Sequence, residues 1–487
     1  MLALEAAPVL GPTPAGEAAR PAAGYLADTL VPAGAALVLV AASPQTADPF
    51  WAPKAVAALA LGLAGLAALA RLLAGRDRPA LALGGFVAWA GLSAALAAQP
   101  ALAVFGLYGL GTGWLFVAAV AGWWALGRHL GPLGRRRLEA VVMAGAVGEA
   151  AVAAASALSH SSSPLLAPYQ GRYEALFDNP IYLAGFLAAA LALAARRLAA
   201  GQGGWGSWAT VGACGAGLEL SGERLGLAVA GAAVAVVGLG WRFGRSRARA
   251  LGLAGRLAAV AALGVGLGWL AGHQGVVATG RVVASNLDNS LEGRLASWGS
   301  AAGAVADRPL VGWGPGRYEA AEVPRRTLAE ARQGGPDRYF ADAHDLVVEY
   351  AATTGLVGLG LLGAWLWGAR RGRGPLAWFA AALGAHLLLE PLSVGIVPLA
   401  ALALGACAPG TWGQGLGRRG GVAALALGGV GLALGGLLLA GDASFVAAYR
   451  DYDAAEVLAA GRLLPPWPDV TDQAAQIAAF GALQGRP

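Results

Sequence analysis

Gly293-Arg294-Leu295-Ala296-Ser297-Trp298, then Arg308-Pro309-Leu310-Val311-Gly312-Trp313-Gly314-Pro315-Gly316, then Ala343-His344-Asp345-Leu346, running into the apolar Gly355-Leu356-Val357-Gly358-Leu359-Gly360, form the one long polar passage of an otherwise apolar chain. Charged, irregular backbone at a bilayer survives only where water or protein surrounds it. The passage therefore reads as a large loop on a membrane protein, and its last residues as the start of a span.

The rest of the chain agrees. Of 487 residues, 57% are hydrophobic and 13% charged, with a mean hydropathy of +0.59; soluble domains carry about 25% charged residues. Apolar runs bounded by Arg clusters or Pro/Gly turns have the length of transmembrane helices. The 76 glycines would weaken soluble helices but let membrane helices approach closely. The pattern predicts an all-α polytopic membrane protein with about 12–13 transmembrane helices and one large extracytoplasmic loop. Helices are expected at about 25–43, 53–73, 79–98, 107–127, 137–158, 179–198, 206–221, 224–241, 252–271, 346–369, 375–390, 393–409 and 421–441. Five regions follow: an N-terminal arm (1–24, with no cleavable leader evident), helices one to nine (25–271), the loop (272–345), helices ten to thirteen (346–441) and a helical tail (442–487).

Charge sets the orientation. With a cytoplasmic N-terminus, the short inside turns hold nineteen arginines, against Lys54, Arg172 and Arg224 in the short outside turns. Such a bias keeps the richer side in the cytoplasm, whereas loops above about 60 residues cross largely regardless of charge. Loop and tail are thus expected outside. The net charge of +6 is spread over membrane-flanking turns and gives no sign of nucleic acid. Cys214 and Cys407 fall in predicted spans, so no structural disulfide is expected.

Within the loop, Leu291, Leu295, Trp298, Ala302 and Val305 follow helical spacing and predict a surface-lying amphipathic helix over 290–306, with Ser290 as N-cap. Arg294 lies at the edge of that stripe, at headgroup depth, where it can hold a lipid-linked phosphate bidentately or serve as an ordinary lipid anchor. Arg224, in an outer turn, has the same two readings. His344 is flanked by Asp342 and Asp345, which could orient its ring or raise its basicity; a plain helix cap is the alternative. His386 and Glu390 are four residues apart inside a predicted span, and such intramembrane ionisable groups are functional candidates by default; Glu149 and Glu219 are further cases. In the tail, small and aromatic residues before Pro465 resemble half of a helical repeat, though a surface-lying helix accounts for them. Asp451-Tyr452-Asp453 has the form of a sugar-nucleotide DxD, but in a surface helix it is a chance match.

Four stretches together resemble the O-antigen ligase family, lipopolysaccharide O-antigen ligases and related polysaccharide polymerases. Phe177-Asp178-Asn179-Pro180 with Leu183-Ala184 looks like the family's Asn-Pro segment opening a span. Ser221 to Arg224 looks like its Ser-Arg turn. Arg294 to Trp298 with Pro309 to Gly316 is similar to its loop, and His344-Asp345 through Glu349 and Gly355 to Gly358 to its exit helix. Glu223 stands where the family usually has Ser, and Asp345 where it usually has Asn. The resemblance implies a membrane-embedded glycosyltransferase at the outer face of a bacterial inner membrane, using a polyprenyl-diphosphate-linked glycan as donor. It implies that Arg224 and Arg294 hold the diphosphate, that His344 acts on an acceptor hydroxyl, and that Asp342, Asp345, Trp298 and Asn179 support them. Two arginines then serve as electrophile, so neither metal nor cofactor is expected, and direct displacement inverts the anomeric centre. The acceptor would be a lipid-anchored core or other surface molecule for a ligase, and a second lipid-linked repeat for a polymerase. Arg325, Arg326, Arg332 and Arg338 could serve that second repeat, but Glu322, Glu330 and Asp337 intersperse them. A transporter using His386, Glu390, Glu219 and Glu149, or a non-catalytic scaffold, are the competing readings.

Overall fold

A computed structural model describes residues 22–159, 163, 165–169, 171–240, 246–274, 291–328, 331, 339–408, 416–450, 453–465 and 467–483. The N-terminal arm up to residue 21, Ser290, Glu330, Arg332, Asp337, Arg338, Asp451 and Tyr452 lie outside the described residues. Each of the thirteen expected spans coincides with a helix: α1 (Ala22–Val40), α2 (Trp51–Ala74), α3 (Arg78–Ala95), α5 (Trp114–His129), α6 (Pro132–Ser159), α7 (Pro180–Ala199), α8 (Trp205–Ser221), α9 (Arg224–Gly238), α10 (Arg247–Gln274), α13 (Leu346–Ala369), α14 (Pro375–Leu387), α15 (Val397–Cys407) and α16 (Gly417–Arg450). The short α4 (Pro100–Phe105), the loop helices α11 (Leu291–Asp307) and α12 (Tyr318–Glu322), and the tail helices α17 (Ala454–Gly461) and α18 (Pro468–Leu483) complete the order. Among the described residues, six helices (α2, α6, α7, α10, α13 and α16) are long and apolar enough to cross a membrane. The protein is an all-α polytopic membrane protein.

Small residues bring the helices together. At the crossing of α2 and α5, a Cβ on Gly65 would lie 2.2 Å from the carbonyl oxygen of Gly122, so the backbones themselves are in contact. Close approach replaces the hydrophobic drive that lipid cannot supply. Helix α7 is apolar all round and 83% buried along its span, whereas α10 and α16 are 17% buried and form the periphery. Hydrogen-bonding side chains set the helix starts: Asp77 accepts from Ala80 N, and Asn179 from Ile181 N, meeting donors that the first turn leaves unpaired.

Three expectations need correction. Helix α14 stops at Leu387, so Glu390 lies in the linker after it and not inside a span. The boundaries drawn at 271 and 441 fall within α10 and α16, each of which continues past the apolar run. The tail is not one surface-lying helix: α17 and α18 pack together, and Trp467 is buried against Trp51 and Tyr108 while its Nε1 donates to Gly106 O at 2.8 Å. Asp453 caps α17 through Ala455 N and Glu456 N, which gives the DxD-like pair a structural role at its second position. The helix expected over 290–306 is α11: it presents Leu295, 54% exposed, and Ala302 outward, keeps Trp298 and Val305 partly buried, and packs through Ser297, Ala301 and Ala304, with Ser297 Oγ 2.8 Å from Tyr318 Oη.

Candidate active site

The glycine-rich loop and α13 are locked together. At Gly355 the helix breaks, with φ 70° and ψ 179°. Into the break comes the loop: Trp313 N donates to Ala352 O (3.1 Å), Gly314 N to Thr353 O (2.8 Å) and Leu356 N to Pro309 O (2.8 Å). Helix α3 closes the knot, since Ser93 Oγ donates toward Val311 O and Thr353 O, and Trp89 Nε1 donates to Thr354 O. A Cβ at Gly355 would sit 2.2 Å from Leu310 O, and one at Gly312 2.5 Å from Thr353 O. The Gly-x-Gly-x-Gly run is thus a fitting between loop and helix and not a phosphate cradle.

This fitting fixes the start of α13, where His344 stands. Asp345 caps the helix through Val347 N and Val348 N, both at 2.7 Å. Buried Glu349 accepts from Ala343 N at 3.0 Å, and Trp298 Nε1 donates to Ala343 O at 2.8 Å. Held from both sides, His344 adopts φ 50°, a conformation that residues other than glycine keep only where the surroundings impose it. Its Nδ1 lies 2.8 Å from Asp342 Oδ1, and its backbone N donates to the same oxygen at 2.6 Å. With Nδ1–H donating to the carboxylate, Nε2 carries the ring's lone pair. Burial works against a charged imidazole, yet Asp342 outweighs it and holds the His344 pKa above its ordinary value, with Arg294 opposing and Glu390 assisting.

Arg294 faces this histidine from α11 but is already engaged. Its Nη2 lies 3.1 Å from Glu390 Oε2, and Nη1 donates to Leu389 O. Its Nε is buried without a hydrogen bond. Burial pushes the Glu390 carboxyl up to about 7, with Arg294 pulling the other way. His386 and Glu390 do not share a partner: His386 Nε2 meets Ile181 O at 3.1 Å, and Glu390 turns to Arg294, 96 residues away in sequence. Glu149 likewise holds a neighbour, accepting from Leu176 N. Arg224 opens α9 with its side chain exposed. The preceding Glu223 caps α9, lies 3.9 Å from Arg172, and is near enough to Glu390 for the two carboxylates to repel. Arg294, Trp298, Asp342, His344 and Asp345 therefore converge on one site, with Arg224 exposed at the neighbouring α8–α9 corner and Asn179 serving as the cap of α7. Sequence reading missed Arg172 and the partnership of Glu390. It also missed Tyr182, whose hydroxyl feels both Asp342 and Glu390.

Residues 209–363 match a family model described as O-antigen ligase. This segment belongs to the O-antigen ligase family. It runs from α8 into α13 and contains Arg224, Arg294, Trp298, Asp342, His344 and Asp345. Two groups near the site come from outside the matched segment: Tyr182 from α7 before it and Glu390 from the linker after α14. No curated protein matches the chain.

Proposed function

We propose that the protein transfers a glycan from a polyprenyl diphosphate to an acceptor hydroxyl at the extracytoplasmic face of a bacterial inner membrane. The observation that carries this reading is the Asp342–His344 pair opposite Arg294 within the ligase-family segment. His344 Nε2 takes the proton of the acceptor hydroxyl; the oxygen attacks the anomeric carbon from the face opposite the leaving group. The bond from that carbon to the phosphate oxygen breaks, and the diphosphate departs with the electron pair. A sugar hydroxyl is a weak nucleophile and gains from a general base. Arg294 and Arg224 neutralise the charge that develops on the leaving group; for Arg294 this means exchanging the Glu390 carboxylate for phosphate oxygens. A single displacement inverts the anomeric configuration.

Ligation is favoured over polymerisation because, of the four arginines that could serve a second diphosphate, the two among the described residues are paired elsewhere. Arg325 pairs with Asp307 and stacks on Trp313, and Arg326 pairs with Glu322. Purified protein incubated with lipid-diphosphate glycan, with and without a lipid-anchored acceptor, tests both points. Product that requires the acceptor supports ligation. A ladder of longer lipid-linked chains from donor alone indicates a polymerase, and no transfer with any acceptor refutes the enzyme reading.

A further inference from the structure

At the end of the bundle remote from His344 lies a cavity of about 560 Å³, within the range of small-ligand sites. Helix α7 links the two: Tyr182 near its start faces the candidate active site, and Arg197 near its end lines the cavity. Tyr182 and Arg197 are fifteen residues apart on this helix, about 22 Å at 1.5 Å rise, against a bilayer core of about 30 Å. Helix α14 runs the opposite way, from Pro375 in the cavity wall to His386 against Ile181. The cavity therefore opens in the opposite leaflet.

Its lining is two-sided. Arg135, Arg136, Arg197 and Arg373 face Glu139, the one acidic lining residue among the described residues; Met143, Leu376 and Cys407 supply an apolar wall. Arg197 bridges Glu139 and donates to Gln202 O at 3.1 Å, yet its Nε is buried without a hydrogen bond. Arg136 and Arg373 are exposed. Four guanidinium groups against one carboxylate leave an excess of positive charge, and the start of α14 adds its own positive end.

We propose that this cavity binds the headgroup of an acidic phospholipid, best one with two phosphates such as a diphosphatidylglycerol. Planar guanidinium forks from three chain segments suit several phosphate oxygens at once. The apolar wall suits the first carbons of the acyl chains, and basic pockets between membrane helices hold such headgroups elsewhere. This site is separate from catalysis and does not depend on the proposed transfer.

The test uses the full chain in neutral detergent, with bound lipid counted by native mass spectrometry. Diphosphatidylglycerol, phosphatidylethanolamine and inorganic diphosphate are the probes. Wild type should retain diphosphatidylglycerol at least about tenfold more tightly than phosphatidylethanolamine, the weight of one charge-assisted hydrogen bond or more. Arg136→Ala/Arg373→Ala removes two exposed side chains and should lose that preference. Arg371→Ala/Arg418→Ala, an equal charge change on exposed positions outside the cavity, should keep it. Equal losses in both double variants, or none in the first, would overturn the site. Displacement of the lipid by inorganic diphosphate at matched concentration would overturn the lipid assignment in favour of a soluble anion.

Discussion

At the scale of single residues, His344 and Arg294 carry separable tests. His344→Ala should insert normally and lose about 10²–10⁴ in transfer rate, the worth of a general base; near-normal product would remove His344 from the mechanism. The base works only when neutral. Because Asp342 holds its pKa above the ordinary histidine value, activity should fall as pH drops through that raised pKa. Asp342→Asn removes the raising charge, so the acid limb should move to lower pH even as the rate falls; an unmoved limb would mean another group titrates. Arg294→Ala strands a carboxylate that is 3% exposed, and breaking a buried pair costs about 3–5 kcal/mol. Adding Glu390→Gln should recover most of that stability in a thermal melt and none of the activity. Recovery of both would make Arg294 a structural residue. The histidine was legible in sequence because its two flanking aspartates are local. Glu390 was misread as lying inside a span because the apolar run continues past the end of the helix at Leu387, and a partner 96 residues distant leaves no periodic mark.

At the scale of elements, the fitting between the 309–316 loop and the break in α13 is the decisive device. Gly355→Ala puts a Cβ 2.2 Å from Leu310 O at φ 70°. An unfavourable backbone conformation alone costs about 1–3 kcal/mol, so the loop should detach. Proteolysis near residue 310 should accelerate and transfer should drop at least tenfold. Gly360→Ala, whose Cβ meets nothing within 4 Å, is the matched control and should behave as wild type. If both variants behave alike, the fitting does not position His344. Apolar runs made the spans themselves readable, because a bilayer imposes length and hydropathy on each one. The break at Gly355 was invisible for the same reason: in a chain with 76 glycines, one more glycine in an apolar run signals nothing until its partner strand is seen. Helix α11 was legible from its spacing, but its packing face was not, because small residues, which hydropathy ignores, form most of it.

For the whole molecule, the arginine bias predicts which side each end faces. Single cysteines at Ala306 and Ala475, both exposed, should react with an impermeant maleimide in intact cells, and a cysteine at Arg371 only after permeabilisation. Cys214 and Cys407 are buried and should give little background. The reverse pattern would invert the map and with it the proposed side of transfer. The break in α13 has a consequence for the lipid around it. Fourteen residues, 356–369, remain below Gly355 in continuous helix, which at 1.5 Å each is about 21 Å against a hydrocarbon core of about 30 Å. Helices α9, α14 and α15, with 15, 13 and 11 residues, are as short. Thinning is one way a bilayer matches such short elements; a headgroup plane that dips beside Arg294 and His344 would lower the proposed lipid-borne diphosphate toward them without its leaving the membrane. Transfer should then slow in reconstituted bilayers of long acyl chains, where the dip is costlier, and equal rates across chain lengths would show that the membrane stays flat.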